Sequence, residues 1–289
     1  MNNYIGKELD KRWEVYKANY GSNDFSQSKS IIDLALQAYM VNASENPPER
    51  LDRHFRLVAT RHIRVFLFAG HDTTSSTICY AFHLLSSNPT ALTRIRAEHD
   101  SIFGTDLTTL PSLISEQPYL LNQLPYTTAV LKETMRLFPG ASAIREGAPG
   151  VDLVDDSGNR YPTEGMNIWI VHPVLQRNPL YWKRPNDFLP ERWLVGPEDE
   201  LYPIKGAWRP FEFGARNCIG QGLVMLELKV VLALIVREFD VKGAYEDWDI
   251  LHPPKGNGIT TVDGERAYQI EKGGAHPADM FPCRVSFRT

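Results

Sequence analysis

The sequence predicts a mainly α-helical protein with small β-sheets. The main observation is a helical pattern of about forty residues, from Glu49 to about Asn88, with apolar side chains at three- and four-residue steps. Between residues 147 and 175 the pattern changes to short β-type runs, with alternating side chains and an Asp-Ser-Gly turn. No stretch has the composition of a linker, so we expect a single domain over residues 1–289.

The composition excludes several classes of protein. With 43% hydrophobic and 23% charged residues, the chain is ordinary for a globular protein, and its net charge of −4 argues against a nucleic-acid partner. Three widely spaced cysteines predict no disulfide framework and favour an intracellular, reducing compartment. The amino terminus is polar and without a signal peptide, and the longest apolar runs are too short to cross a bilayer, so we expect no membrane span.

Four shorter helices are predicted besides the long one, over residues 7–20, 28–42, 90–104 and 124–140. Ser30 or Ser28 is placed to cap the second of them. Asn88-Pro89 is expected to end the long helix, and a Pro-Gly pair to end the helix over 124–140.

The carboxy-terminal part combines irregular chain, one helix and closing strands. Proline-rich irregular chain is expected after residue 175, followed by a glycine-rich loop and a helix that runs to about Phe239. The segments "RAYQIEK" and "CRVSFRT" predict one or two strands near the end of the chain.

The segment "RPFEFGARNCIGQGL", residues 209–223, is the most distinctive stretch, and we call it the cysteine loop. Gly214 and Gly220 allow its backbone to approach a flat ligand closely. Cys218 precedes an apolar helix, whose free N–H groups favour a thiolate and hence a soft metal ligand. Arg216 offers a positive charge to an anionic group. The alternative is a buried cysteine that acts as a small apolar residue.

The segment "FAGHDTTSST" interrupts the middle of the long helix with small and hydroxyl-bearing residues. Gly70, Thr73, Thr74 and Thr77 share one face, and a threonine there is able to donate back to a helix carbonyl. Such a face suits a helix pressed against a cofactor, with Asp72 and Thr73 placed to handle protons. A crossing point between packed helices explains the same pattern equally well.

A third motif, "KETMR", places Glu133 and Arg136 on one helix face. With Arg192 of "FLPERW" they are able to form a buried cluster of three charges, although a solvated pair is the common outcome of this spacing. The sequence contains no G-x-S-x-G, no Walker loop and no H-E-x-x-H, and its eight histidines show no metal-ligand spacing.

Together these motifs resemble those of the cytochrome P450 family of haem-thiolate monooxygenases. The cysteine loop matches the family's F-x-x-G-x-R-x-C-x-G, "AGHDTT" its oxygen-activating helix, and "ETMR" its E-x-x-R pair. "FLPERW" is similar to its P-E-R-F element, with Trp193 in place of Phe. The motifs occur in the family's order, and the resemblance covers roughly residues 30–289. The fold it implies is the carboxy-terminal part of the cytochrome P450 fold.

The resemblance implies a haem b cofactor and a role for each motif. Cys218 would be the axial iron ligand as thiolate, and Asp72 and Thr73 would deliver protons during oxygen activation. Glu133, Arg136 and Arg192 would form a structural triad that holds the cysteine loop. The residues implied to contact the haem are Phe211, Gly214, Arg216, Gly220, Arg145, Ala69 and Gly70, with Arg145 and Arg216 facing its propionates.

The resemblance also implies partners and a location. Electrons would come from an NADPH-dependent cytochrome reductase, and the substrate would be a small apolar organic molecule, by analogy with fungal members that act on secondary metabolites. A full-length relative would lie at the cytoplasmic face of the endoplasmic reticulum membrane. The family's amino-terminal helices, with the membrane anchor, have no counterpart here, so the chain resembles the carboxy-terminal half to two-thirds of a member.

Two other functions remain open from the sequence. One is a haem-thiolate isomerase or peroxygenase, which needs no reductase; the intact Asp72-Thr73 pair argues against it. The other is a non-catalytic or inactive truncated haem-binding fragment.

Overall fold

The computed structural model describes residues 1–20, 30–41, 47–253 and 260–288. Their α-helices are α1 (Asn2–Ala18), α2 (Ile31–Val41), α3 (Arg53–Ser87), α4 (Pro89–Phe103), α5 (Leu110–Glu116), α6 (Pro125–Leu137), α7 (His172–Gln176), α8 (Gln221–Ile235) and α9 (Tyr245–Leu251). Short 3₁₀ turns cover Leu107–Thr109, Pro118–Gln123, Pro190–Trp193, Gly214–Arg216 and Ala278–Met280.

The strands of the described residues form antiparallel pairs. The pairs are β1 (Ala143–Glu146) with β4 (Asn167–Ile170), β2 (Asp152–Val154) with β3 (Arg160–Pro162), β5 (Phe239–Gly243) with β8 (Cys283–Phe287), and β6 (Gln269–Lys272) with β7 (Gly274–Pro277). The predicted class, mainly helical with small sheets, is confirmed.

The chain divides into two compact units, Met1–His71 and Asp72–Thr289. The first unit has its own apolar cluster, in which Leu9 and Trp13 of α1 pack with Leu36 of α2. The Ser30 hydroxyl accepts from the Asp33 backbone N–H at 3.1 Å, which confirms the predicted cap of α2; Ser28 lies outside the described residues. A single domain over the whole chain stays a prediction.

The core of the second unit lies between the later part of α3, α4, α6 and α8. Tyr80 of α3 stacks on Phe138 with ring centroids 4.0 Å apart and planes 5° apart. Val130 of α6 and Leu232 of α8 are almost fully buried in the same cluster. This packing explains the apolar spacing that predicts these helices in the sequence.

Prolines and one carboxylate fix where the helices begin. Asn88 alone separates α3 from α4, because Pro89 cannot continue the hydrogen-bond ladder of α3 but suits the first turn of α4. The start of α6 is capped from α4: Glu98 accepts from the backbone N–H of Tyr126 at 2.6 Å and of Thr127 at 2.8 Å. A carboxylate at this end of a helix is stabilised by the helix dipole.

Several predicted helix boundaries were wrong: α1 begins at Asn2 instead of residue 7, and α3 begins at Arg53 instead of Glu49. The helix after the cysteine loop ends at Ile235, and Phe239 begins β5 instead of ending the helix. Phe239 pairs with Phe287 across β5 and β8, with ring centroids 5.0 Å apart. A contact with a residue so distant in sequence overrides the local helical pattern.

In the described part of the chain, no helix is both long and apolar enough to span a membrane.

His99 predicts a pH dependence of stability. Its ring is fully buried on α4, with Nε2 2.8 Å from the Thr127 hydroxyl. Burial, together with the charge of Arg237, lowers its pKa from the ordinary 6.5 to about 4. Between these values the unfolded chain binds a proton that the folded chain does not, so stability falls as pH decreases from 6.5 to 4. Over that window the loss should reach about 3 kcal/mol.

We expect His99→Gln, which keeps a partner for Thr127 but cannot titrate, to reduce this loss. The measurement is the free energy of unfolding in urea at pH 7.5 and pH 4.5. His252→Gln, at an exposed histidine, controls for the substitution itself. Equal pH-dependent losses in wild type and His99→Gln would contradict the prediction.

Candidate functional site

The cysteine loop is closed by its own backbone before α8 begins. The Cys218 N–H donates to the Phe211 carbonyl at 2.8 Å, and Gly214 has φ +71°, a conformation that favours glycine. Gly220 occupies the N-cap position of α8. Phe211 packs against the core of the second unit, whereas Cys218 is exposed. The loop therefore presents its thiol outward on a fixed turn.

The surroundings of Cys218 fit a ligand that carries its own further donor atoms. Among the described residues, no group of three histidine, cysteine or acidic side chains could hold a metal ion. In a haem the porphyrin supplies the other ligands of the iron, so a single protein thiolate such as that of Cys218 is enough to bind it. In the same loop the apolar side chains of Phe213 and Ile219 are 54% and 88% exposed. An exposed cysteine in a loop that also exposes apolar side chains fits a haem, and Cys218 is not the buried apolar residue of the alternative interpretation.

Glu212 ties this loop to the small sheet of β1 and β4. Its carboxylate lies 2.5 Å from Nε2 of His172, accepts from Arg209 at 2.6 Å, and lies 3.6 Å from the guanidinium of Arg145. Burial raises the pKa of Glu212, but the hydrogen bonds from His172 and Arg209 outweigh burial and hold the pKa below its ordinary value. Glu212 thus carries a negative charge among three basic side chains.

The two arginines implied to meet the propionates differ in their surroundings. Arg145 lies on β1, is 38% exposed at its side chain, and is already oriented by Glu212. Arg216 ends the short 3₁₀ turn of the loop and is exposed. Glu212 and His172 were missed in the sequence because neither lies at a defined position of the motif. The left-handed backbone of Glu212, with φ +61°, is not readable from sequence.

Glu133, Arg136 and Arg192 come together as a fully buried charge cluster. Arg136 donates to both Glu133 carboxylate oxygens at 2.9 and 2.8 Å, and Arg192 Nε donates at 3.0 Å. The Leu189 N–H and the Trp193 indole N–H each add a hydrogen bond of 3.0 Å. All three charged side chains are 0% exposed, so the solvated-pair alternative is wrong for this chain.

Two contacts connect α6, which carries this cluster, to the cysteine loop. Gln176 donates to the Arg136 carbonyl at 3.0 Å and accepts from the Arg209 N–H at 2.7 Å. The Trp208 indole N–H donates to the Lys132 carbonyl at 3.1 Å. Neither Gln176 nor Trp208 belongs to a motif with chemical meaning, so sequence reasoning had no signal for them. Trp208 and the first residue of the loop, Arg209, are therefore held close to α6, Arg209 through Gln176.

On α3, Asp72 faces a histidine from the end of the chain. Its Oδ1 lies 3.0 Å from Nε2 of His276 on β7. The Thr77 hydroxyl donates to the Thr73 carbonyl at 2.9 Å, as expected for a threonine in this motif. A Cβ on Gly140 would come 3.2 Å from the Thr73 Cβ, so backbone packs closely here. The neighbour here is the chain after α6 and not a second helix, so the contact differs from the helix crossing that the alternative interpretation expects.

The resemblance also implies that Ala69 and Gly70 contact the cofactor. Both residues belong to the first unit. Both lie on α3 and are exposed, and in the described part of the chain a Cβ placed on Gly70 would meet no atom within 4 Å beyond its chain neighbours and the nearby backbone of α3.

An open cavity of about 400 Å³ lies at the base of the cysteine loop. Its lining includes Trp208, Phe211, Glu212 and Gln221, but not Cys218. It therefore marks a hollow beside the loop and not the space in front of the thiol.

The charge cluster predicts that Trp193→Phe destabilises the protein, although Phe is the residue of the motif that the sequence resembles. The change removes one hydrogen bond from a buried carboxylate, which costs about 1–3 kcal/mol. Trp182→Phe is a matched control, because the Trp182 indole N–H is buried without a partner among the described residues. Denaturant unfolding should show the larger loss for Trp193→Phe. Equal losses would mean that ring volume, and not the hydrogen bond, sets the cost.

Comparison with known proteins gives a consistent result. The Cytochrome P450 family model matches residues 2–266. The chain is 42% identical to Cytochrome P450 monooxygenase polC of Polytolypa hystricis over 287 residues, which cover 99% of this chain and 50% of polC. It is 36% identical to Cytochrome P450 monooxygenase PC-23 of Penicillium crustosum over 213 residues, which cover 72% of this chain and 99% of PC-23.

Among solved structures, the chain is similar to the crystal structure of the cytochrome P450 CYP102L1. The TM-score is 0.70 at 22% sequence identity, over 99% of this chain and 56% of that one. This likeness shows the fold. The chain spans about half the length of polC and of the CYP102L1 chain. Since the family model covers most of the chain, the protein belongs to the cytochrome P450 family.

Proposed function

We propose that the chain is the haem-thiolate part of a monooxygenase that inserts one oxygen atom from O₂ into a small apolar organic substrate. The observation that carries the proposal is the exposed thiol of Cys218 on a turn closed by the bond to Phe211. Two relatives at 42% and 36% identity have names that include monooxygenase. Membership of a fungal pathway of secondary metabolism is part of the proposal, by analogy with such relatives.

Residues of the cysteine loop, with Arg145, would hold haem b. Cys218 would bind the iron as thiolate, and the exposed guanidiniums of Arg145 and Arg216 would meet the carboxylate edge. Phe211, Gly214 and Gly220 would shape the backbone that contacts the haem. Contacts from Ala69 and Gly70 of α3 stay a prediction. When bound, the haem supplies the iron centre at which oxygen is activated, and a thiolate ligand favours cleavage of the O–O bond.

The remaining groups would position the ligand and supply protons. Glu133, Arg136 and Arg192 keep α6 and the chain before the cysteine loop in one arrangement, through the contacts of Gln176 and Trp208. Asp72 and Thr73 would hold and pass protons. The electron donor would be an NADPH-dependent cytochrome reductase. The location would be the cytoplasmic face of the endoplasmic reticulum membrane, as expected for a full-length relative.

Cys218→Ser tests the ligand assignment. The purified chain is reconstituted with haem, reduced and exposed to carbon monoxide. We expect the wild type to show the red-shifted Soret band of thiolate ligation, and Cys218→Ser to lose it because a hydroxyl is a far weaker iron ligand. Cys283→Ser, at another exposed cysteine, is the matched control and should keep the band. Absence of the band from the wild type would overturn the proposal.

Turnover separates the enzymatic interpretations. With NADPH and reductase, we expect an apolar substrate to gain one atom of ¹⁸O from ¹⁸O₂, measured by mass spectrometry. Product formed with peroxide but not with reductase would assign a peroxygenase, and rearrangement without oxygen incorporation an isomerase. A thiolate-type band without product under any of these conditions would assign a non-catalytic haem-binding fragment.

A further inference from the structure

We propose that His276 is a positioning residue that holds the carboxylate of Asp72, an inference that rests on the proposed function and on the proton-handling role of Asp72 within it. The two side chains lie 204 positions apart in the sequence, and Nε2 of His276 lies 3.0 Å from Oδ1 of Asp72. Their side chains are 7% and 18% exposed. The pair is therefore sheltered from solvent competition.

The two oxygens of Asp72 have different surroundings. Oδ1 is engaged by His276, whereas Oδ2 is buried and has no hydrogen-bond partner among the described residues. A buried carboxylate oxygen without a donor is costly, so its presence at this position calls for an explanation. Fixing one oxygen orients the other, so His276 determines where Asp72 presents its unpartnered atom.

Gly274 provides the space for that atom. A Cβ at this position would come 2.6 Å from Oδ2 of Asp72 and 3.2 Å from the Gly140 carbonyl. Any side chain larger than hydrogen would therefore displace the carboxylate. The hairpin of β6 and β7 thus binds one oxygen of Asp72 through His276. Its Gly274, which has no side chain, leaves room for the other oxygen.

The hairpin is anchored next to His276. The Ala275 N–H donates to the Gly140 carbonyl at 2.9 Å, and the Ala275 carbonyl accepts from the Ser76 hydroxyl of α3. On β6, Ile270 pairs with His276 across the hairpin. Because the N–H and the carbonyl of Ala275 are both hydrogen-bonded, the backbone next to His276 is fixed relative to α3. The imidazole of His276 is thereby held within hydrogen-bond distance of Asp72.

A double-mutant cycle on thermal unfolding tests the contact without any cofactor. We expect Asp72→Asn and His276→Leu each to lower the melting midpoint by about 2–4 °C, which is the shift of about 1 kcal/mol for a chain of this size. The double variant should melt no lower than the less stable single variant, because the second change removes a partner that is already lost. Additive losses would overturn the proposal.

Turnover tests the positioning role. With reductase and substrate, we expect His276→Leu to lower kcat by about tenfold, because a misplaced proton donor loses part of its effect on the rate. We expect KM to stay unchanged and a larger share of the electrons to form hydrogen peroxide. His276→Gln, which retains a donor, should recover most of the activity. Gly274→Ala, which leaves His276 in place but displaces Asp72, should reproduce the defect. His252→Leu, at an exposed histidine, should behave as wild type.

The outcomes distinguish this proposal from the one on which it rests. A normal thiolate-type carbon monoxide band with unchanged kcat and peroxide yield in His276→Leu would overturn the role of His276 alone. Failure of His276→Gln to recover activity would likewise overturn it, since packing and not hydrogen bonding would then be at issue. Absence of the band from the wild type would overturn both proposals.

Discussion

The second unit depends on one buried carboxylate. Glu133 accepts hydrogen bonds from Arg136, Arg192, Trp193 and the Leu189 backbone while fully excluded from solvent. Removing a charge from water is costly, and only complete hydrogen bonding and close countercharges offset that cost. Loss of one charged partner of such a cluster typically costs about 3–5 kcal/mol, which makes its geometry hard to change.

The arginines of the same cluster also bind irregular chain that follows α7. Arg136 also donates to the carbonyls of Gln176, Pro185 and Asp187, and Arg192 to that of Arg184. Between residues 176 and 187 the chain is therefore held by guanidinium groups in addition to the hydrogen bonds of its own turns. Through Gln176 and Trp208 this order reaches the loop, where Glu212 adds a link to β1 and α7. The thiol of Cys218 thus lies on a turn supported by several elements of the second unit.

The sequence predicted the elements whose pattern is local. The long helix, α6 and the closing strands follow from apolar spacing, prolines and β-type runs, and the cysteine loop follows from its glycines and framing residues. The partners of the site residues did not follow. His276 lies far from Asp72 in sequence, the Glu212 network needs a left-handed backbone, and Gln176 has no motif. The end of α8 was misplaced for the same reason, because β5 depends on pairing with β8.

Glu212 has a consequence for how this sequence is able to change. Its backbone has φ +61°, a conformation that glycine adopts without strain but that costs other residues about 1–3 kcal/mol of conformational free energy. Substitution by glycine alone would relieve that strain but would leave His172 and Arg209 without their shared acceptor. Substitution of His172 alone would leave a partly buried carboxylate with one donor fewer. The positions are therefore epistatic: a descendant sequence reaches a different solution more readily by exchanging residues 172, 209 and 212 together than by changing any one of them first.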